Sequence, residues 1–244
     1  MKFNQHHQNF ETFHCIYILL VLLYYIGKLY KRKECFNKRI MHFKAPFTCI
    51  VVGATGSGKT QLVKKLISHR AEIINPPPQT VLYCYGELNE TVLEHKQKGI
   101  EIYNGIPDVD LIKSFPKPLL LVIDDLMLDI DPSYLDMLFT RGSHNWNMSI
   151  IFVTQSLFGR NIRTARVNSH YLLLMRNPQA KQNVRTVGSQ MFPGKLKFFM
   201  ESFEDATAKP FSYLLIDSHP NTDDAERLIT NIFPGEHQVL YLPM

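Results

Sequence analysis

A glycine-rich segment directly after a short apolar run constrains the fold of this chain more than any other feature. The segment consists of Gly53, Ala54, Thr55, Gly56, Ser57, Gly58, Lys59 and Thr60. It matches the P-loop pattern GxxxxGK[ST], and residues 47–52 before it have the character of a fully buried strand. After it, apolar residues recur at helical spacing, at Leu62, Val63, Leu66 and Ile67. A strand, a glycine turn and a helix in this order predict a P-loop in an α/β fold.

The chemistry of this segment follows from its residue types. Glycines let backbone N–H groups curl around phosphate oxygens, and the N-terminus of the following helix adds a partial positive charge. Lys59 is expected to reach the β- and γ-phosphates, and the Thr60 hydroxyl is expected to ligate Mg²⁺. The sequence therefore predicts that residues 53–60 bind ATP together with Mg²⁺.

The rest of the chain alternates short apolar runs with helical segments. The runs that read as strands are residues 80–85, 100–103, 119–123, 149–153, 171–174 and 211–216. Residues 91–98 read as a polar helix, and Asp131 followed by Pro132 is typical of a helix start. Short all-apolar strands between helices indicate a mainly parallel central sheet covered by helices on both faces. Residues 41–244 are predicted to form one P-loop ATPase domain.

A second nucleotide motif ends the apolar run at residues 119–123. Asp124 and Asp125 follow this run directly, as in a Walker B strand. Asp124 is the expected Mg²⁺-side residue, acting directly or through a water, and Asp125 is the candidate that polarises the attacking water. Many hydrolysing relatives carry the longer Glu at the second place. The alternative is that both acids merely end a strand.

Two further polar residues are candidates for the catalytic site. Gln155 follows the run at residues 149–153 after one intervening threonine, and its neutral amide would sense the γ-phosphate or its attacking water. Arg141 precedes the same run, and an arginine near a subunit edge can reach the γ-phosphate of a neighbour. Arg163 and Arg166 are rivals for that role. Each of the three could instead contact DNA phosphate or solvent.

The net charge of +5 does not describe the globular part. Residues 1–40 contain seven Lys/Arg and two Asp/Glu, whereas residues 41–244 contain twenty of each sign. Within the neutral part, residues 160–200 contain basic residues and no acidic one. The basic residues are Arg160, Arg163, Arg166, Arg176, Lys181, Arg185, Lys195 and Lys197. This basic block is either a positive surface for nucleic acid or an ordinary solvated face.

The N-terminal forty residues leave three interpretations open. Residues 15–27 form an apolar run of thirteen, followed by a basic cluster, whereas a membrane-spanning helix needs about 20. The segment could be a short membrane anchor, a partner-binding helix, or sequence upstream of a working protein that starts at Met41. The four cysteines show no spacing typical of zinc ligands, which favours a reduced, intracellular protein.

The ordered set of motifs resembles the viral genome-packaging ATPases of the FtsK–HerA superfamily, including those of poxviruses, Maverick/Polinton-like elements and adintoviruses. The resemblance covers residues 43–217 and rests on FKAPFTCIVVGATGSGKT, VLYCYGE, IEIYNGIP, LLLVIDDLM and TRGSHNWNMSIIFVTQSLF. The P-loop alone is generic. The pair of acids before an RxxH segment and a strand ending in Gln is more specific.

This resemblance implies several further properties. The strand ending in Gln155 would lie between the P-loop strand and the Walker B strand. The protein would form a homo-oligomeric ring, a hexamer, that threads double-stranded DNA into a capsid made of other proteins. Lys59 and Thr60 would bind nucleotide, Asp124 and Asp125 would serve metal and water, Gln155 would be the sensor and Arg141 the trans-acting finger. The expected location is intracellular, in the host nucleus or cytoplasm where virions assemble.

Three other functions compete with packaging. A small-molecule P-loop kinase would use the same glycine-rich segment, although the acid pair and Gln155 fit hydrolysis better. A membrane-anchored assembly ATPase of the filamentous-phage type shares the superfamily and would require residues 15–30 to insert into a membrane. A degenerate copy that binds nucleotide without moving DNA is the third, against which the complete set of catalytic side chains argues.

Overall fold

The computed structural model of the chain describes residues 41–159 and 162–243, together with the backbone of Arg32–Glu34. Its strands are β1 (Arg32–Glu34), β2 (Phe43–Lys44), β3 (Thr48–Val52), β4 (Ile74–Asn75), β5 (Thr80–Tyr85), β6 (Glu101–Asn104), β7 (Leu119–Asp124), β8 (Met148–Thr154), β9 (Tyr171–Met175), β10 (Tyr213–Asp217), β11 (Leu228–Thr230) and β12 (Val239–Tyr241). Its helices are α1 (Lys59–Ser68), α2 (Arg70–Ile73), α3 (Glu90–Gln97), α4 (Val109–Ser114), α5 (Pro132–Met137), α6 (Arg163–Val167), α7 (Lys181–Met191) and α8 (Leu196–Ala206).

The strands form one large sheet in the order β1-β12-β11-β10-β9-β3-β8-β7-β5-β6, and β2 pairs with β4 beside it. The strands from β9 to β6 run parallel to one another. From β10 onward the pairing is antiparallel. The predicted α/β class with a mainly parallel sheet is confirmed. The predicted strand order is confirmed as well, because β8 separates the P-loop strand β3 from β7.

The register of the central strands brings their carboxyl ends to one edge of the sheet. Val52, at the end of β3, pairs with Thr154 at the end of β8. Ile123, near the end of β7, pairs with Phe152 of β8. Residues that directly follow these strands therefore emerge at the same edge, which is where parallel α/β sheets bind their ligands.

Alternating side chains of the buried strands fill two apolar layers, one on each face of the sheet. On β3, Cys49 and Val51 face the layer that contains α1, whereas Ile50 and Val52 face the opposite layer. Helix α1 contributes Leu62, Val63, Leu66 and Ile67 to the first layer. The second layer contains Leu135, Leu138, Val184, Val187, Phe199 and Phe203 from the helices after β7 and β9. Helices on both faces explain why the central strands are apolar throughout.

The helix after β7 begins as the sequence predicts. The Asp131 side chain accepts hydrogen bonds from the backbone N–H groups of Ser133 and Tyr134, and Pro132 occupies the first turn. Beyond α5 the helix continues through a π-helical turn at Leu138–Gly142 and a last turn at Ser143–Asn145. The π-helical turn is a feature that the sequence did not indicate.

The last strand of the predicted set begins later than expected. The apolar run suggested residues 211–216, but β10 starts at Tyr213 because Phe211 has a left-handed backbone with φ 62°. Helices α7 and α8 and strands β11 and β12 were not predicted. None of the helices in the described part has the length and apolar character to cross a membrane. The apolar segment at residues 15–27 lies outside that part.

The two described cysteines, Cys49 and Cys84, are free thiols in the core. Burial raises the pKa of Cys84 to about 12 and raises the pKa of Cys49 even further. Thiols held in the protonated form are poor nucleophiles and poor metal ligands, so both residues act as packing groups.

Candidate active site

The P-loop spans the turn from β3 to α1 at the carboxyl edge of the sheet. The Gly53 N–H donates to the carbonyl of Thr154 at 3.3 Å, which fixes the start of the loop to the end of β8. The Ser57 N–H donates to the Ala54 carbonyl at 3.1 Å and closes the turn inside the loop. Among the described residues, no side chain caps α1, and its first turn contains no acid. The N–H groups of this helix end therefore remain available to an anion.

Gly58 is required by the loop for two reasons. Its φ of 93° lies in the left-handed region, which residues with a side chain rarely adopt. A Cβ at this position would also lie 2.8 Å from Cδ1 of Phe211. The backbone of the loop is therefore in close contact with the segment that precedes β10.

The Lys59 ammonium lies across the mouth of the loop. Its Nζ donates to the carbonyls of Gly53 and Ala54, at 2.9 and 3.0 Å. Partial burial lowers the pKa of Lys59, while the nearby carboxylates of Asp124 and Asp125 act in the opposite direction. The predicted lysine and the two predicted acids are thus close enough to interact electrostatically.

Asp124 connects β7 to the first turn of α1. The side chain is 6% exposed, and its Oδ2 accepts a hydrogen bond from Thr60 Oγ1 at 3.1 Å. The same oxygen accepts a hydrogen bond from the Tyr83 hydroxyl at 2.5 Å. Burial raises the pKa of Asp124, and the hydrogen bonds from Tyr83 and Thr60 oppose this rise. The structure brings together the two residues that the sequence assigned to Mg²⁺.

Asp125 and Gln155 are exposed at the same edge. Asp125 has a left-handed backbone with φ 59°, so the chain turns sharply as soon as β7 ends. Gln155 follows β8 and lines a small cavity that Gly53 also lines. Gln155 therefore follows β8, the strand next to the P-loop strand β3, and Asp125 follows β7, the next strand in the sheet.

Arg141 is located away from these residues within the chain. The helix that contains it leads from the end of β7 to the start of β8, at the opposite edge of the sheet. At that edge the Asn147 carbonyl accepts a hydrogen bond from the N–H of Leu119, the first residue of β7. Arg141 occurs late on this return path, in the π-helical turn, and is exposed. The structure does not bring Arg141 to the P-loop of its own chain.

The basic block is divided among several elements. Arg163 and Arg166 belong to α6, Lys181 and Arg185 to α7, and Arg176 follows β9. The Arg166 guanidinium donates to Gln190 at 2.8 Å and lies over the Phe158 ring, which leaves it less available to a partner than the exposed Arg163.

The sequence did not identify Tyr83 as a site residue. Tyr83 pairs with Val122 of β7, and alternation then places its side chain on the same face as Asp124. Its ring contacts His95 of α3, with 4.6 Å between ring centroids. His95 is buried, its pKa is lowered by burial, and its Nε2 has no hydrogen-bond partner among the described atoms. Only knowledge that β5 adjoins β7 would have linked Tyr83 to the acid.

These residues can hold a metal–nucleotide complex. Mg²⁺ is usually bound by one or two carboxylates together with substrate phosphates and water. In the described part of the chain, no group of three or more His, Cys, Asp and Glu residues forms a separate metal site. The Thr60 hydroxyl beside the Asp124 carboxylate is a pair of oxygen donors of the kind that Mg²⁺ prefers. The donor set therefore fits Mg²⁺ shared with a triphosphate.

Comparison with known proteins gives one relative in sequence. No protein-family model matches the chain. A stretch of 110 residues is 29% identical to "Packaging protein 1" of Snake adenovirus serotype 1, which covers 43% of this chain and 21% of that protein. The chain thus spans about a fifth of the length of the curated relative that it matches. The resemblance to viral packaging proteins indicated by the motifs is confirmed by this relative.

Three solved structures show a partial similarity to this chain. B204, the DNA-packaging ATPase of Sulfolobus Turreted Icosahedral Virus, has a TM-score of 0.47 at 14% identity over 71% of this chain and 93% of that chain. The cytoplasmic domain of the type VII secretion ATPase EccC of Thermomonospora curvata has a TM-score of 0.45 at 15% identity, over 80% of this chain and 25% of that chain. A KaiC-like protein of Pyrococcus horikoshii has a TM-score of 0.44 at 15% identity, over 82% of this chain and 92% of that chain.

Proposed function

We propose that this chain is an ATPase that hydrolyses ATP to move double-stranded DNA into a viral or virus-like capsid. The observation that carries the proposal is the hydrogen bond between Thr60 and Asp124, which joins the P-loop helix to the acid of β7 across the intervening strand β8. This linkage places a phosphate-binding loop and a carboxylate pair at one edge of the sheet. The similarity to a viral packaging protein supports the packaging role. Double-stranded DNA as the second substrate follows from the resemblance of the motifs to genome-packaging ATPases.

Nucleotide binding is assigned to the loop and its helix. The backbone N–H groups of residues 53–60 surround the phosphates, and Lys59 neutralises their charge. Thr60 and Asp124 would hold Mg²⁺, which when bound would act as a Lewis acid on the phosphates. Asp124 is buried and Lys59 and Thr60 are partly buried, which strengthens each electrostatic contact because charges interact more strongly away from bulk water.

Hydrolysis is assigned to the exposed polar pair at the same edge. The Asp125 carboxylate accepts a hydrogen bond from the attacking water and takes its proton as the bond to the γ-phosphorus forms, releasing ADP and inorganic phosphate. The Gln155 amide orients the same water or reports the presence of the γ-phosphate. Both side chains are exposed at the edge where the phosphates would lie, which supports these roles.

Arg141 is assigned to a neighbouring subunit in a ring, a hexamer by the resemblance stated above. Its exposure and its position in a π-helical turn support this role, since such turns occur frequently at functional sites. Arg141→Ala should leave ATP binding intact and reduce turnover of the assembled ring by about 10³-fold or more. Addition of Asp125→Asn subunits, which retain Arg141, should partly restore turnover of the Arg141→Ala protein, because each variant supplies the group that the other lacks. Normal turnover of the Arg141→Ala protein alone would remove this residue from the mechanism.

The decisive experiment measures ATP turnover with and without duplex DNA, together with native mass in the presence of nucleotide. We expect DNA of unrelated sequences to raise turnover equally and to bind less tightly as salt increases, because the contacts are made with phosphates. Capsid proteins are the expected further partners, and the host nucleus or cytoplasm is the expected site. Turnover that responds to nucleosides but not to DNA would replace the translocase with a kinase.

A further inference from the structure

The P-loop has a second neighbour at the same edge of the sheet, on the side opposite the acids. On one side β8 and β7 supply Gln155, Asp124 and Asp125, whereas on the other side β3 adjoins β9, and β9 adjoins β10. Because β10 runs antiparallel to β9, the start of β10 lies beside the end of β9. The segments before β10 and after β9 therefore meet next to the P-loop.

These segments and the P-loop enclose an open cleft of about 330 Å³, which is within the range of small-molecule sites. The cleft is lined by Ala54, Thr55, Gly56, Ser57, Arg176, Pro178, Pro210 and Phe211. Outside the P-loop, the lining thus contains an aromatic ring, two prolines and one guanidinium. Flat apolar groups beside a planar cation are suited to stacking on a heteroaromatic ring.

Phe211 is unusual for a large apolar residue. Its side chain is 66% exposed, although its backbone is held at φ 62°, a conformation that is an outlier for a bulky residue. The ring packs against the loop backbone at Gly58, where a Cβ would meet it at 2.8 Å. A strained backbone that presents an aromatic ring to solvent beside a phosphate-binding loop suggests a function rather than a packing role.

The chemistry of a nucleoside triphosphate determines which side of the loop receives the base. In the proposed function, Thr60 and Asp124 would hold the Mg²⁺ that accompanies the β- and γ-phosphates, so this end of the nucleotide would lie on the side of the acids. The nucleoside is attached at the α-phosphate, the opposite end of the chain of phosphates. With the γ-phosphate end directed toward β7 and β8, the nucleoside end is directed toward β9 and β10, where the cleft lies.

We propose that this cleft binds the base of the nucleotide and that Phe211 is its stacking platform. Arg176 and the two prolines complete the walls. Stacking recognises the face of a base and not its hydrogen-bonding edge, so this site distinguishes purines from pyrimidines by stacking area and does not read the amino group of adenine. The proposal rests on nucleotide binding at the P-loop, and it adds the part of the ligand that the P-loop pattern does not specify.

The test compares binding of ATP with binding of tripolyphosphate, which has no base. Phe211→Ala should weaken ATP binding by about 5- to 100-fold and leave tripolyphosphate binding unchanged, and Phe211→Trp should retain ATP binding. Phe211→Gly is the second variant. Because glycine adopts a positive φ without strain, this variant shows the effect of losing the ring without straining the backbone. Val167→Ala removes a similarly exposed apolar side chain, 73% exposed on α6, and should bind ATP as the wild-type protein does.

The outcomes distinguish a failure of the proposed base site from a failure of the P-loop assignment. ATP binding that depends on Lys59 but is the same in Phe211→Ala and Phe211→Gly would overturn the base site and leave the proposed nucleotide site intact. Equal weakening of ATP and tripolyphosphate would also overturn it, since the ring would then act only through the shape of the loop. ATP binding that does not depend on Lys59 would overturn the P-loop assignment itself and, with it, the base site.

Discussion

The two sides of the P-loop differ in how their polar groups are held. Toward β7, the Asp124 carboxylate is buried and receives hydrogen bonds from Thr60 and Tyr83. Toward β10, Phe211 and Arg176 are exposed and border an open cleft. The acid side is thus built into the core of the sheet, whereas the cleft side is formed by two short segments at the surface.

This difference fits the chemistry that we propose for each side. A metal-binding carboxylate must be positioned to within fractions of an ångström, and burial with two hydrogen-bond donors restricts its rotamer. A stacking surface needs only a flat face of suitable size. Substitutions on the acid side should therefore affect both catalysis and stability, whereas substitutions in the cleft should affect binding alone.

The largest expected effect comes from Lys59, which lies between the two sides. Lys59→Ala removes the ammonium at the mouth of the loop and should reduce ATP turnover by at least about 10²–10³-fold. Turnover is measured by phosphate release under saturating Mg²⁺. Lys65→Ala is the matched control, because Lys65 belongs to the same helix but pairs with Glu236 at the surface. Equal turnover of the two variants would mean that the loop does not bind the reacting phosphates.

The next effect distinguishes catalysis from stability on the acid side. Asp124→Asn should lower turnover and yet stabilise the fold increasingly with pH. Burial raises the pKa of Asp124, so the folded protein binds this proton more tightly than the unfolded chain. Ionisation therefore costs wild-type stability as pH rises above about 4, the ordinary range of an aspartate, and asparagine avoids this cost.

Thermal unfolding from about pH 4 to about pH 8, without nucleotide or Mg²⁺, measures this difference. The melting temperature of Asp124→Asn relative to wild type should increase along this series. Asp129→Asn, at an exposed position after β7, should show no such trend. A relative melting temperature that is constant or falls with pH would show that the acid side does not hold its carboxylate at a cost in stability.

The smallest effect concerns Tyr83, whose hydroxyl donates a hydrogen bond to Asp124. Tyr83→Phe removes one hydrogen bond to a carboxylate and should lower turnover at neutral pH by about 10-fold. Because that hydrogen bond lowers the pKa of Asp124, its loss should move the acidic limb of the turnover–pH profile to higher pH. Tyr134→Phe loses a comparable hydroxyl bond, to the Pro107 carbonyl at 2.6 Å, and should leave the profile in place. An unshifted profile for Tyr83→Phe would assign this tyrosine to packing.

The sequence predicted those parts of the molecule that local patterns determine. The buried strands β3, β5, β7 and β8 appear in it as continuous apolar runs, and the P-loop and the acid pair follow such runs directly. The start of α5 could be predicted from Asp131 and Pro132 because capping depends on adjacent residues. The part of the site that could be predicted consists of residues at or directly after the ends of strands.

What could not be predicted depends on contacts between distant segments. Tyr83 becomes a partner of Asp124 only through the pairing of β5 with β7. Phe211 looked like the first residue of a strand, and its left-handed backbone reflects the approach to Gly58. Strands β11 and β12 have three residues each, too few for a periodic signal. The roles of all the site residues remain predictions, those of Lys59, Thr60 and Asp124 as well as those of Asp125, Gln155 and Arg141. The interpretation of residues 1–40 also remains a prediction.

The π-helical turn at Leu138–Gly142 has a consequence for how Arg141 can change during evolution. A helix in this conformation contains one residue more than a regular α-helical turn would accommodate. Because this turn absorbs the extra residue, deleting one residue there would restore a regular α-helix and leave the residues on its C-terminal side in nearly the same orientation relative to α5. Related chains could therefore lose this turn through a one-codon deletion, which would shift the Arg141 guanidinium locally without changing how the chain enters β8.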